Sequence, residues 1–148
     1  MKINEQKFYS VFMIIMINSF LLFIWKLIIH VGLFEWIYRL EPVNVWLPYS
    51  ETRFFTSNLI DIIFVFIFVL IYVLIHKSIP GKGLFKGLNY GLVIWSVSIL
   101  PRVLALMDMT VISPVVLGFW LIDFLIIYSW QGILIAAMYK EDDNQNTK

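Results

Sequence analysis

Lys26, Asp61, Arg102 and Asp123 are the residues of this sequence whose types and placement offer chemistry, because each is an ionisable group inside an otherwise apolar run. A charge at the centre of a bilayer costs at least about 2.5–3.5 kcal/mol. Two cations and two carboxylates at similar depth offset one another. The four are therefore expected to gather into one polar cluster, with His30 and Asp108 at its rim. Asn58 precedes Asp61 by three positions and Ser98 precedes Arg102 by four, which puts each on the face of its charge. Tyr72, eleven positions after Asp61, returns to that same face.

Two roles suit such a cluster. It can be a set of ion pairs that fixes helix register, with Lys26 and His30 snorkelling to the membrane surface. It can also line a water-accessible pocket, where Lys26 and Arg102 hold an anion and Asp61 and Asp123 hold a cation. The pocket suits a small polar or zwitterionic ligand, or a lipid headgroup. The candidate ligand-binding residues are Lys26, His30, Asn58, Asp61, Arg102, Asp108 and Asp123.

Other chemistries fit less well. Cysteine is absent, which excludes thiol catalysis and thiolate metal sites. His30 and His76 are expected at opposite membrane faces, so they cannot share one iron. Asp61 and Asp123 suggest a carboxylate dyad sharing a proton. Ser57-Asn58-Leu59-Ile60-Asp61 looks like part of the first Asp motif of lipoprotein signal peptidases, which share this length and four-span topology. Here that Asp falls on the second span, and no second Asn-x-Ala-Asp motif follows. Small multidrug exporters carry a membrane-embedded Glu in their first span, where this chain has Lys26. No catalytic residue is assigned, and neither metal nor organic cofactor is implied. The net charge of +1 does not call for nucleic acid.

The elements that must position these groups follow from composition. Of the 148 residues, 61% are hydrophobic and 14% charged, against about 25% charged in a soluble domain. Mean hydropathy is +0.86. A soluble core of this length cannot hide so much apolar surface. About 20 apolar residues cross a bilayer as a helix, and four segments qualify, at roughly 8–33, 54–76, 86–107 and 114–139. The expected fold is an all-α, polytopic four-helix bundle, one membrane domain over 1–148 with a polar tail at 140–148. The N-terminal run resembles a signal peptide, but it lacks a small-x-small cleavage site and reads as a retained span.

The segment 35–53 combines Trp36, Tyr38, Trp46 and Tyr49 with Pro42 and Pro48. Trp and Tyr favour the membrane–water interface and Pro interrupts helix, so an interfacial loop with a short flat helix at 35–41 is expected. Segment 76–86 reads as a tight turn. Lys2, Lys7, Lys77, Lys82, Lys86, Lys140 and Lys148 fall on one side, and Arg39 and Arg53 on the other with Arg102 just within the membrane. The positive-inside rule then places both termini in the cytoplasm and the protein in the cell (inner) membrane. On that orientation all the intramembrane ionisable groups lie in the outer half, Asp123 being ~13 Å along its span.

Gly83, Gly87 and Gly91 recur at spacing four, as do Gly132 and Ala136 on the last span. Small residues at this spacing let helices approach closely in lipid. They serve either a contact between protomers or, the favoured reading, packing of span three on span four. Gly81 and Gly83 also suit a turn after Pro80.

Lys86-Gly87-Leu88-Asn89-Tyr90-Gly91-Leu92-Val93-Ile94-Trp95, then Pro101 and Trp120, then Gly132 through Ala136 to Tyr139-Lys140, resembles a pattern in small uncharacterised prokaryotic four-helix integral membrane proteins. The resemblance covers about the last 55 residues. It implies a four-helix integral membrane protein and no particular activity. Three functions stay open on the sequence: a binding or transport module, an accessory subunit beside a membrane-protein partner or a second copy of itself, and an intramembrane hydrolase.

Overall fold

The computed structural model describes residues 5–40, 42, 45–46 and 50–139. The expected polar tail at 140–148, the loop residues Pro48 and Tyr49, and Lys2, Lys140 and Lys148 lie outside the described residues. Among the described residues, five α-helices carry the fold: α1 (Glu5–Lys26), α2 (Glu51–Ile75), α3 (Gly83–Ser98), α4 (Leu100–Met109) and α5 (Pro114–Met138). Among the described residues there is no strand. Four helical stretches, Phe8–Leu33, Glu51–Ser78, Gly83–Met109 and Pro114–Met138, are long and apolar enough to cross a membrane.

Local chemistry sets the ends of these helices. Ser50 caps α2, its hydroxyl accepting from the Arg53 amide at 3.3 Å, so that helix starts at Glu51 rather than at the expected 54. Ser113 caps α5 in the same way toward Val115 at 3.3 Å, and Pro114 takes the first helical position, where no N–H is needed. The third stretch is broken between α3 and α4. Pro101 has no N–H to donate to the preceding turn, so the ladder is interrupted around Ile99.

α3 and α5 form the tightest contact, and its cause is glycine. A Cβ on Gly87 would sit 2.2 Å from the Gly132 carbonyl oxygen, and one on Gly91 would sit 2.2 Å from that of Tyr128. Nothing larger fits. The small-residue stripe thus joins span three to span four within one chain. Gly83 is not part of that seam. It takes φ +53, and a Cβ there would meet nothing within 4 Å, so it serves the turn, as does Gly81 at φ +104.

α1 packs between α2 and α5. The core where α2, α3 and α5 meet is aromatic. Tyr90 donates to the Phe68 carbonyl at 2.5 Å and stacks near Phe68 and Tyr72, with ring centroids 4.7 and 5.1 Å away. Tyr72, expected on the helix face of Asp61, packs with Tyr90, Tyr139 and His76. Eleven residues along a helix bring it back to the right face but about 16 Å away in depth.

Candidate functional site

The end of α1 splits its neighbouring residues between two helices. Lys26 reaches α2, its Nζ 2.5 Å from Asp61 Oδ2 and 3.3 Å from Ser57 Oγ. Trp25, about 100° around the helix, reaches α5 and donates from Nε1 to Asp123 Oδ1 at 2.9 Å. Beyond Lys26 the chain continues as a π-helix over Leu27–Leu33. An i→i+5 ladder turns less per residue than an α-helix. Four α-helical steps overshoot one turn and would leave His30 near Lys26. Four π steps fall short of a turn and swing His30 to the Trp25 side. There His30 Nε2 lies 2.9 Å from Asp123 Oδ2.

The second nitrogen of His30 continues the chain. Nδ1 lies 2.7 Å from Tyr38 Oη, and Tyr38 Oη accepts from Trp120 Nε1 at 3.1 Å. An indole N–H can only donate. An ionised carboxylate can only accept, so His30 Nε2 donates to Asp123, and in a neutral ring Nδ1 is left to accept the Tyr38 hydroxyl proton. The network is directed from both ends: Trp120 to Tyr38 to His30 to Asp123, and Trp25 to Asp123. Asp123, 3% exposed, has a hydrogen bond on each carboxylate oxygen. Bonds to a charged acceptor are worth about 1.5–3 kcal/mol each, enough to hold a carboxylate in an apolar helix.

The segment after the π-helix covers this network. A 3₁₀ helix, Glu35–Arg39, carries Tyr38 inward. Phe119 packs edge-on to His30 and Tyr38, at 5.6 and 6.2 Å between centroids. Trp46 closes the group against Tyr38 and Trp120, at 5.4 and 6.0 Å. The expected flat helix at 35–41 is thus a 3₁₀ turn, and Tyr38 and Trp46 seal the polar network. Trp36 stays 55% exposed and free to act as an interfacial anchor. Burial pushes the Tyr38 phenol up to about 12, the Trp120 hydrogen bond opposing this and the Asp123 charge adding to it. The Arg39 guanidinium is held above its ordinary value by its hydrogen bond and charge pairing with Glu35.

The candidate residues divide into two groups and a remainder. Lys26 pairs with Asp61, with side chains 33% and 24% exposed. His30 pairs with Asp123. Arg102 and Asp108 are exposed on α4 and enter neither group's hydrogen bonds. Asn58 donates to the Phe54 carbonyl on its own helix at 2.7 Å, and Ser98 does the same toward Ile94 at 2.6 Å. Asp61 and Asp123 bind different partners, so the pair does not form a carboxylate dyad. Trp25, Ser57, Tyr38, Trp46 and Trp120 complete the site and carry no charge to advertise it in the sequence. Among the described residues no group of His, Cys, Asp and Glu is arranged to hold a metal. No family model, curated protein or solved structure matches this chain.

Proposed function

We propose that this protein is a small multi-pass module of the cell (inner) membrane, with both termini cytoplasmic, that binds or transports a small polar or zwitterionic solute at the His30–Asp123 pair and does so with a change in protonation. The single observation behind this reading is the directed Tyr38–His30–Asp123 chain on a buried carboxylate. Asp and His chains inside membranes are the usual parts of proton relays.

The chemistry follows from the two indole donors. A proton arriving at His30 enters at Nδ1, since Nε2 already carries one. Nδ1 then becomes a donor toward Tyr38 Oη. That oxygen already accepts from Trp120, so the Tyr38 hydroxyl proton must turn away toward the covering loop. Charging His30 also neutralises Asp123 as a pair. One proton thereby switches Tyr38 from a sealed donor to one available to a ligand. The other ion pair at this end of α1 is Lys26 with Asp61, which compensate each other.

Nitrogen NMR of His30 in lipid nanodiscs tests this, in a His76→Gln background that leaves one histidine. Titration of the ring that shifts in Asp123→Asn supports a proton-linked site, together with proton release or uptake by proteoliposomes that the same variant abolishes. A ring that keeps one tautomer from pH 4 to pH 9, with no proton movement, overturns it. The accessory-subunit reading has one observation in its favour, that both deep carboxylates are already paired. It would be preferred on that outcome.

A further inference from the structure

Two uncharged residues deeper in the bundle lie outside the site just described. Asn18 and Gln131 are both fully buried, at 0% exposure. Asn18 Nδ2 donates to its own helix at Ile14, but Asn18 Oδ1 has no hydrogen-bond partner, and neither has Gln131 Nε2 or Oε1. A buried carboxamide with both atoms unpaired is disfavoured, because it gives up its water hydrogen bonds with no return.

Their placement relates the two. On α1, Ile14, Asn18 and Leu22 are the buried positions, and the stripe continues to Trp25. On α5, Asp123, Ile127, Gln131 and Ile135 form the corresponding stripe at spacing four. Ile14, Leu22, Ile127 and Ile135 belong to one packed core, and Trp25 bonds Asp123 across the same seam. From that bond, Asn18 lies about 10 Å deeper along α1 and Gln131 about 12 Å deeper along α5. The two carboxamides therefore share one level of the α1–α5 seam, past the middle of α5.

We propose that Asn18 and Gln131 form a water-binding layer there, which extends the polar interior from Asp123 beyond the mid-depth of the bundle. The unpaired groups are two acceptor oxygens and one NH2 donor. Water, which donates twice and accepts twice, answers that set, and buried waters characteristically make about three such bonds. Leu22 and Ile127 lie between the layer and Asp123, which are about two helical turns apart. It is thus a second site and does not rest on the titration of His30.

The test is magnetisation transfer from water to side-chain amides by NMR, on the full chain in lipid nanodiscs. Gln131→Met and Asn18→Leu assign the two carboxamides. A water cross-peak at the Gln131 amide is expected. It should persist in Asp123→Asn, and the Asn18 peak should fall at least several-fold in Gln131→Met. No water contact at either amide overturns the proposal, as does an Asn18–Gln131 amide contact without water. The wild-type spectrum alone decides this if the variants do not fold. Failure here leaves His30 titration untouched, and the reverse also holds.

Discussion

His30 and Asp123, 93 residues apart, share a 2.9 Å hydrogen bond because the chain between Leu27 and Leu33 winds as a π-helix. The same winding separates His30 from Lys26, four positions earlier, and sends the two toward different carboxylates. Two independent pairs result where one four-charge cluster was expected.

Double-mutant cycles should report that division. Lys26→Met with Asp61→Asn, and His30→Gln with Asp123→Asn, should each couple by about 0.5–3 kcal/mol. The cross pair Lys26→Met with Asp123→Asn should be additive within about 0.5 kcal/mol. Thermal unfolding in detergent measures both. Cross coupling as large as the in-pair coupling would mean a single cluster.

Asp123→Asn leaves one acceptor oxygen for two donors, Trp25 and His30. It should cost about 1.5–3 kcal/mol and quench or shift Trp25 fluorescence. The matching change at the periphery, Asp108→Asn, should be within about 0.5 kcal/mol of wild type, as for exposed positions generally.

Glycine substitutions should sort by the space that each Cβ meets. Gly87→Ala and Gly91→Ala force α3 off α5 and should cost about 1–3 kcal/mol or more. Gly118→Ala, where a Cβ meets nothing within 4 Å, should be neutral or slightly stabilising. Leu92→Ala, on the exposed side of α3, should cost less than Gly91→Leu. Equal small losses across the series would refute the close seam.

Tyr38 gives an alkaline signature. Its phenol holds its proton to about 12 in the folded chain, against about 10 unfolded. The folded state thus binds more protons between those values. Stability is complete below about pH 10 and declines as pH rises toward about 12. Tyr38→Phe should remove that part of the decline. Absorbance at the phenolate band should show one late-titrating tyrosine fewer.

Topology is directly checkable in a chain without cysteine. A thiol at Ser50→Cys should label from outside intact cells, and one at Ser78→Cys only after permeabilisation. The opposite pattern would invert the proposed orientation of the site.

The four apolar helices were legible because a bilayer demands long uncharged runs, and all four stretches are long and apolar enough to cross one. The Gly87, Gly91 and Gly132 seam was legible for the same reason, since spacing four has one dominant use in lipid. The pairing of charges was not. It depends on rotation about each helix axis, and the π winding after Lys26 changes that rotation without leaving a compositional mark. Lys26 with Asp61 emerged as part of a larger expected group, while Arg102 fell away from it. Tyr38 looked like an interfacial aromatic, and Trp25 and Trp120 carried no expectation as site residues, yet their single polar atoms direct the whole network. Asn18 and Gln131 carried the signal of an amide in an apolar helix, which a search for charge passes over.

The π segment has a genetic consequence. Such a winding is an α-helix that has taken in one residue more than its ladder needs. Deleting one codon among Leu27, Ile28 and Ile29 would let the segment relax to an α-helix. Three α-helical steps from Lys26 also fall about 60° short of a turn, so the imidazole would stay on the Trp25 side that meets Asp123, while Trp25 and Lys26, upstream of the deletion, would keep their partners. The relay face thus survives a single in-frame deletion there, whereas winding the full-length segment as an α-helix would carry the imidazole past a whole turn toward Lys26 and away from Asp123.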